Sequence, residues 1–173
     1  MHSKPKSAQA KMRAEPNPQR VWDIIERIEV CMLTTQFSGG VRARPVEARV
    51  DGSGYIHVLT DVHSAKQRDI GASVDVGLVF IDAKQKAYLS ITGRASIIRD
   101  GAAIKALWRA TDTAWWPAGP TDADVRLLRI EPLTAELWDG PASTTVELFE
   151  FARALVMGRQ PNLGQNRKVT IEM

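Results

Sequence analysis

The stretch from residue 30 to residue 98 constrains this chain more than any other part of it. It is a succession of short apolar runs, "VCMLTTQ", "VRARPVEARV", "YIHVLT", "VDVGLVFID" and "AYLSITGRASIIR", most of them separated by a turn signal: "FSGG", "DGSG" or "AKQK". Apolar and β-branched residues at short spacing are the pattern of strands, and paired glycines supply the positive backbone angles of tight hairpin turns. Two further runs, "VRLLRIEP" and "TAELWD", read as the last strands. Such strands, with few long helices between them, point to an antiparallel barrel rather than to βαβ repeats.

The helices fall around this strand region. Asn17 can cap, and Pro18 suits the first position of, a helix over 18 to 28 whose Val21, Trp22, Ile24, Ile25 and Ile28 share one face. Residues 64 to 71 read as one short helix. Asp100 caps another near 101 to 111, through Ala103, Ile104, Leu107 and Trp108, and "WWPAGP" breaks it. Ser143 caps a last helix over 144 to 157, followed by a polar tail. The expected division is a basic flexible arm at 1–17, a barrel domain at 18–140, and a helix and tail at 141–173 packing on the same domain.

A chain of 173 residues with 44% hydrophobic content supports one domain with a substantial core. No run approaches the roughly 18 apolar residues that span a bilayer, and the first residues lack the apolar centre of a secretory signal, so the expectation is a soluble, cytoplasmic protein with no membrane partner. The lone cysteine, Cys31, excludes an internal disulfide and a cysteine metal cage, and reads as a buried core thiol. The net charge of +3 is unevenly spread: residues 1–20 carry five basic residues against one acid and 158–173 carry three against one, which leaves 21–157 at net −3. Basic tails without interleaved aromatic residues are poor evidence for a nucleic-acid surface, and none is expected.

Common catalytic patterns are missing. The sequence has no G-x-G-x-x-G, no P-loop and no H-E-x-x-H, and His2, His57 and His63 do not cluster at metal-ligand spacing, so no metal is expected. His57 reads as a half-exposed strand residue without a function, and His63 as a possible ligand contact in a loop. The cations say more. Arg42 and Arg44 share a strand face, and pairing across "DGSG" would bring Arg44 near Ser64 and Lys66 at the opening turn of the short helix. An arginine fork, a lysine charge, a hydroxyl and outward N–H groups would suit a phosphate monoester. The alternative is that Arg42, Arg44, Arg49 and Lys66 only solvate a sheet face.

The order "RPVEARVDGSGYIHVLTDVHSAK" resembles the flavin-phosphate segment of the pyridoxamine 5'-phosphate oxidase superfamily. In that family an Arg at the head of one strand, a Thr at the end of the next and a following Ser-x-Lys hold the flavin; here these positions are Arg44, Thr60, Ser64 and Lys66. "AYLSITGRASIIRDGAAIKALW", "TAWWPAGPTDADVRLLRIEPLTAELWDG" and "ARALVMGRQPNLGQNRKV" are similar to its general stress protein branch. The resemblance spans about residues 18 to 170. It implies a mainly β (α+β) fold, a six-stranded antiparallel split β-barrel with flanking helices, forming a cytoplasmic homodimer with two flavin sites at the subunit interface. The implied cofactor is FMN, with FAD possible, and the implied cofactor contacts are Arg44, Val46, Arg49, Thr60, Ser64, Lys66 and Trp116, the last beside the flavin bound mainly by the other subunit.

Departures from the family pattern bear on function. Ala65 stands where the oxidases usually have an arginine, Pro45 follows Arg44 as in the stress protein branch, and Arg49 replaces a lysine. The arginine and histidine motif of the vitamin B6 pocket is not recognisable after Trp138, which argues against a true pyridoxamine 5'-phosphate oxidase. Two readings follow: a flavin-dependent oxidoreductase acting on an unidentified small substrate, with no catalytic residue assigned from the chain, or a flavin-binding or flavin-sequestering stress-response protein without turnover. A deazaflavin or haem in the same barrel is a third.

Overall fold

The computed structural model describes residues 18–139 and 165–170. The N-terminal arm, its Asn17 cap and the helix expected at 144–157 lie outside the described residues. Within them, α1 (Pro18–Ile28), β1 (Val30–Phe37), β2 (Gly40–Glu47), β3 (Arg49–Val50), β4 (Ile56–Asp61), α2 (Ala65–Ala72), β5 (Asp75–Asp82), β6 (Ala87–Ile98), α3 (Gly101–Leu107), β7 (Val125–Asp139) and β8 (Gln165–Thr170) follow in order. All strand pairs are antiparallel. The sheet order is β2-β1-β5-β6-β7-β4-β3, with β8 also paired to β7. The fold is therefore the expected mainly β one, an antiparallel sheet curled into a split barrel, with more strands than the six expected.

The strand layout differs from the expected one in three places. "VRLLRIEP" and "TAELWD" form one 15-residue strand, β7, which pairs with β4 along its first half and with β8 along its last. The curl comes from a register shift against β6 between Thr92 and Gly93, opposite Pro132, a bulge that spares a proline the ladder hydrogen bond it cannot donate. A side chain at Gly93 would put its Cβ 2.5 Å from the carbonyl oxygen of Glu131, so the close approach requires glycine there. The second difference divides "VRARPVEARV". The Ala48 N–H leaves the sheet and donates to the Glu29 carbonyl at 2.7 Å, turning a corner between β2 and β3. The third lies in the polar tail, where 165–170 is a strand that no strand expectation covered.

The hairpins close where the turns predicted. In "DGSG", Gly52 and Gly54 have φ of 79° and 84°, and Asp51 accepts the Ser53 N–H at 2.9 Å. Val21, Ile24 and Ile25 of α1 pack into the main core with Leu33, Leu78, Phe80, Leu89, Ile91 and Ile130. Cys31 belongs to that core, and burial pushes its thiol up to about 12. A smaller cluster under α3 joins Ile104, Leu107, Val125 and Leu127 to Trp108 and Trp116. Asp100 caps α3 as expected, accepting the N–H groups of Ala102 and Ala103 at 3.0 Å. The helix stops at Leu107, short of the expected 111, and a 3-10 turn at Ala110–Ala114 carries the chain on to the tryptophans.

Candidate functional site

Four parts of the chain meet around a cavity of about 480 Å³. Val30 comes from the start of β1, Glu47 and Arg49 with their neighbours from the β2–β3 corner, Thr60, Asp61, Ser64 and Lys66 from the end of β4 and the opening of α2, and Asp112, Trp115 and Trp116 from the loop after α3. A cavity of a few hundred cubic ångströms with apolar walls and a few polar groups is the usual form of a cofactor site.

The polar end is built by the turn from β4 into α2. Asp61 ends the strand: its carboxylate accepts the His63 N–H at 2.7 Å and its carbonyl the Ser64 N–H at 3.0 Å. Ser64 precedes the first turn of α2 but does not cap it with its side chain; its Oγ lies 3.0 Å from Thr60 Oγ1. Two hydroxyls therefore face each other beside helix N–H groups that have no intrahelical acceptor. Lys66 is half-buried on the same wall and makes no hydrogen bond or ion pair with a described residue. Burial, then the Arg44 charge, pushes its ammonium below the ordinary lysine range, with Asp61 pulling the other way.

Arg44 stands behind this wall. Its Nη2 donates to Thr35 Oγ1 at 2.8 Å and to Asp69 Oδ2, and Thr35 Oγ1 also donates to Asp69 at 3.0 Å. Arg42 lies 3.7 Å from the same carboxylate and covers the Phe37 ring. The hydrogen bond from Arg44 keeps the Asp69 carboxyl below the usual range against its burial, helped by Thr35 and the arginine charges. Pairing across "DGSG" is not what places Arg44. Its strand pairs with β1, Arg44 opposite Leu33, and only Arg49 and Val50 pair with β4.

At the other end Arg49 is 5% exposed. Its two Nη groups bind both oxygens of Asp112 at 2.7 Å, and they also reach the Leu107 carbonyl and Glu47 at 2.8 Å. Asp112 accepts the Arg109 N–H as well, at 2.7 Å, and the Arg109 guanidinium joins Glu29 and Glu47. Burial acts to raise the Asp112 pKa, but the Arg49 hydrogen bonds, the Arg109 N–H and both charges outweigh it and hold the carboxyl below the usual range. This ion cluster ties the tryptophan loop to the β2–β3 corner. Trp116 is half-buried against Trp108, ring centres 6.1 Å apart, whereas Trp115 is 80% exposed.

A family model described as "Pyridoxamine 5'-phosphate oxidase like" matches residues 17–162. The chain belongs to this family. Among solved structures of similar fold, a protein of Jannaschia sp. CCS1 assigned as general stress protein 26 is 25% identical with a TM-score of 0.73, covering 88% of this chain and 97% of its own. The general stress FMN/FAD binding protein of Xanthomonas citri is 26% identical with a TM-score of 0.65, covering 72% of this chain and 89% of its own. Protein bli-3 of Neurospora crassa is 22% identical over 151 residues, 80% of this chain and 72% of that protein.

Within this pyridoxamine 5'-phosphate oxidase-like chain, six residues singled out from the sequence line the one cavity: Val46, Arg49, Thr60, Ser64, Lys66 and Trp116. Arg44 does not line it. Trp116 stands on the cavity of its own chain. His63 is exposed and absent from the lining, 4.0 Å from Asp124. His57 is buried, not half-exposed, because β4 lies between β3 and β7; its Nε2 is 3.3 Å from Asp51. The sequence reading missed Asp112, Glu47 and Asp69. The available signal was that a buried arginine demands a carboxylate, but Asp112 lies 63 residues from Arg49 and nothing local marks it. No helix among the described residues is long and apolar enough to cross a membrane.

Proposed function

We propose that this protein binds FMN, with FAD as the larger alternative, in the cavity between β4–α2 and the tryptophan loop, and acts as a cytoplasmic flavin-dependent oxidoreductase on a small substrate. The observation that carries this reading is the convergence of Thr60, Ser64 and an unpaired Lys66 at one end of the cavity with Arg49 and Trp116 at its walls. The donor set fits the ligand. Paired hydroxyls, helix N–H groups and a lysine suit a phosphate dianion. Arg49 keeps a buried Nε–H for which the described residues supply no acceptor, and an indole offers a flat apolar wall for a ring. Arg44, bound to Asp69, adds positive potential from behind rather than a free fork. The FMN/FAD binding of the Xanthomonas citri relative supports the same assignment.

A bound flavin would supply two-electron chemistry by itself, and the chain would supply position, electrostatics and exclusion of water. Lys66 and the hydroxyls anchor, Trp116 covers, and the Arg49–Asp112 pair fixes the loop that carries Trp116. A second reading, flavin binding without turnover, is favoured by one feature: the cavity lining contains no histidine, and of its carboxylates Glu47 and Asp112 are held by arginines while Asp61 accepts the His63 N–H.

The proposal includes a homodimer with the flavin sites at its interface. Its support is an exposed apolar stripe across the sheet, in which Met32 pairs with Val79, Ile81 with Tyr88, and Tyr88 in turn with Trp138, and which Val30 joins to the cavity wall. Patches of this kind mark interaction surfaces. The test is gel filtration with light scattering and visible absorbance after mixing the protein with FMN. Flavin that co-elutes with a dimer supports the reading; flavin that elutes free, with tryptophan fluorescence unchanged, rejects it. Anaerobic bleaching of bound flavin by a reduced nicotinamide and reoxidation in air would separate turnover from sequestration.

A further inference from the structure

We propose that a second cleft, between α1 and the turn from β3 to β4, binds a small organic cation of the alkylammonium class. This cleft shares no lining residue with the flavin cavity, so the inference stands apart from the flavin reading.

The cleft holds about 230 Å³, half the volume of the larger cavity and room for a small molecule rather than a cofactor. One wall is a single face of α1, where Gln19, Trp22 and Glu26 follow at spacings of three and four residues. The opposite wall is Val50 of β3 with Gly52, Gly54 and Tyr55 of the turn. The turn keeps the space open. Gly52 and Gly54, at φ of 79° and 84°, present backbone without side chains, and the side chains between and before them fold onto the turn itself. Asp51 Oδ1 accepts both the N–H and the hydroxyl of Ser53, while Asp51 Oδ2 lies 3.3 Å from His57 Nε2.

The lining selects for positive charge. Glu26 is the charged residue of the cleft, and its carboxylate has no hydrogen bond or ion pair with a described residue. Trp22, which also packs against the main core, and Tyr55 supply two aromatic rings, whose negative faces attract cations. Tyr55 already displays that preference outside the cleft, where the Arg129 guanidinium lies 4.9 Å from its ring centre. No lysine, arginine or histidine lines the cleft, so an anion would find no counter-charge there. A neutral ligand would shield Glu26 from water without pairing it. One carboxylate is too few ligands for a metal ion. An alkylammonium satisfies all three constraints: its charge answers Glu26 and its methyl or methylene groups cover the rings.

The probe is choline, titrated calorimetrically into the full chain beside its uncharged isostere, the alcohol in which carbon replaces the quaternary nitrogen. Choline is expected to bind saturably and roughly fivefold or more tightly than the alcohol. Glu26→Gln should weaken choline roughly three- to fivefold and leave the alcohol unchanged, because the carboxylate acts only on the charge. Trp22→Leu should abolish the preference for choline. Since Trp22 also packs on the core, Tyr55→Leu, checked for folding by circular dichroism, repeats the test on the opposite wall and should reduce the preference. No saturable binding of choline, equal affinity for choline and the alcohol, or a preference undiminished in Glu26→Gln or in folded Tyr55→Leu would each overturn the proposal. Retention of FMN by wild type and Glu26→Gln alike is expected whatever choline does, so failure of the flavin reading and failure of this one are separate results.

Discussion

Removal of the Asp112 carboxylate should destabilise the fold more than a surface ion pair could. Asp112 is 4% exposed and accepts three hydrogen bonds, two from Arg49 and one from the Arg109 N–H, all at 2.7 Å. In Asp112→Ala the Arg49 guanidinium stays buried and keeps only the Leu107 carbonyl and the half-exposed Glu47. Removing one partner of a buried pair costs about 3–5 kcal/mol, and the surviving contact with Glu47 places this case near the lower end, at about 3 kcal/mol. Urea unfolding at fixed protein concentration measures it, and the melting temperature should fall by roughly 6–12 °C. Replacing both partners, Arg49→Met with Asp112→Leu, should recover most of the loss, because no charge is then left buried. The pH dependence has a definite sign. The folded pKa of Asp112 lies below its unfolded value, so its contribution is fully present above about pH 4 and disappears as pH falls through the folded pKa. The difference between wild type and Asp112→Ala should be flat from neutral pH down to that point and shrink below it. A loss under about 1 kcal/mol, or a double variant as unstable as the single one, would refute the reasoning that an uncompensated buried cation is what the substitution leaves behind.

Three further outcomes are expected. Lys66→Ala should weaken FMN more than riboflavin, by roughly the 1.5–3 kcal/mol of a charge-assisted hydrogen bond; equal losses in a fluorescence titration would show that Lys66 does not touch the phosphate. Trp116→Ala should lower FMN affinity and remove most of the quenching of tryptophan emission by flavin, and an undiminished affinity in a folded protein would return Trp116 to a purely structural role against Trp108. Gly93→Ala should cost about 1–3 kcal/mol by urea unfolding, since the added carbon meets the Glu131 backbone oxygen at 2.5 Å rather than a side chain that could move; a neutral variant would mean that the bulge relaxes.

What the sequence revealed, and what it hid, follows the range of the interactions. Helix α1 and the hairpins were legible because their determinants are local: a stripe at helical spacing and turn glycines within a few residues of the strands they join. The continuity of β7 was not, since Pro132 reads locally as a strand end and becomes tolerable only through a bulge opposite Gly93, 39 positions away in the chain. The same division runs through the site. Thr60, Ser64 and Lys66 occupy one turn, so their convergence could be read from spacing, while the carboxylates that hold Arg44 and Arg49 lie 25 and 63 residues away.

The hidden contacts change what the arginines can do. Had Arg44 and Arg49 been free, the cavity would hold one mobile fork and a lysine, with a second fork behind its wall, a strongly positive site able to take many anions. With Arg44 held by Asp69, and Arg49 by Asp112 and Glu47, both forks are fixed in place, and Lys66 is the cation among the cavity-lining residues without an ion-pair partner among the described ones. Fixed guanidiniums lose no side-chain entropy when a ligand arrives, and they shape the potential around the amine instead of competing with it. Discrimination at the anion end therefore falls to one lysine, two hydroxyls and the helix N–H groups, a set small enough for Ala65→Arg to act on. If that side chain reaches the cavity it supplies the free fork the site lacks, and FMN should bind more tightly while riboflavin does not. A gain for both ligands alike would place the new arginine on the ring rather than on the phosphate, and would contradict the division of the cavity into an anion end and a flat apolar wall.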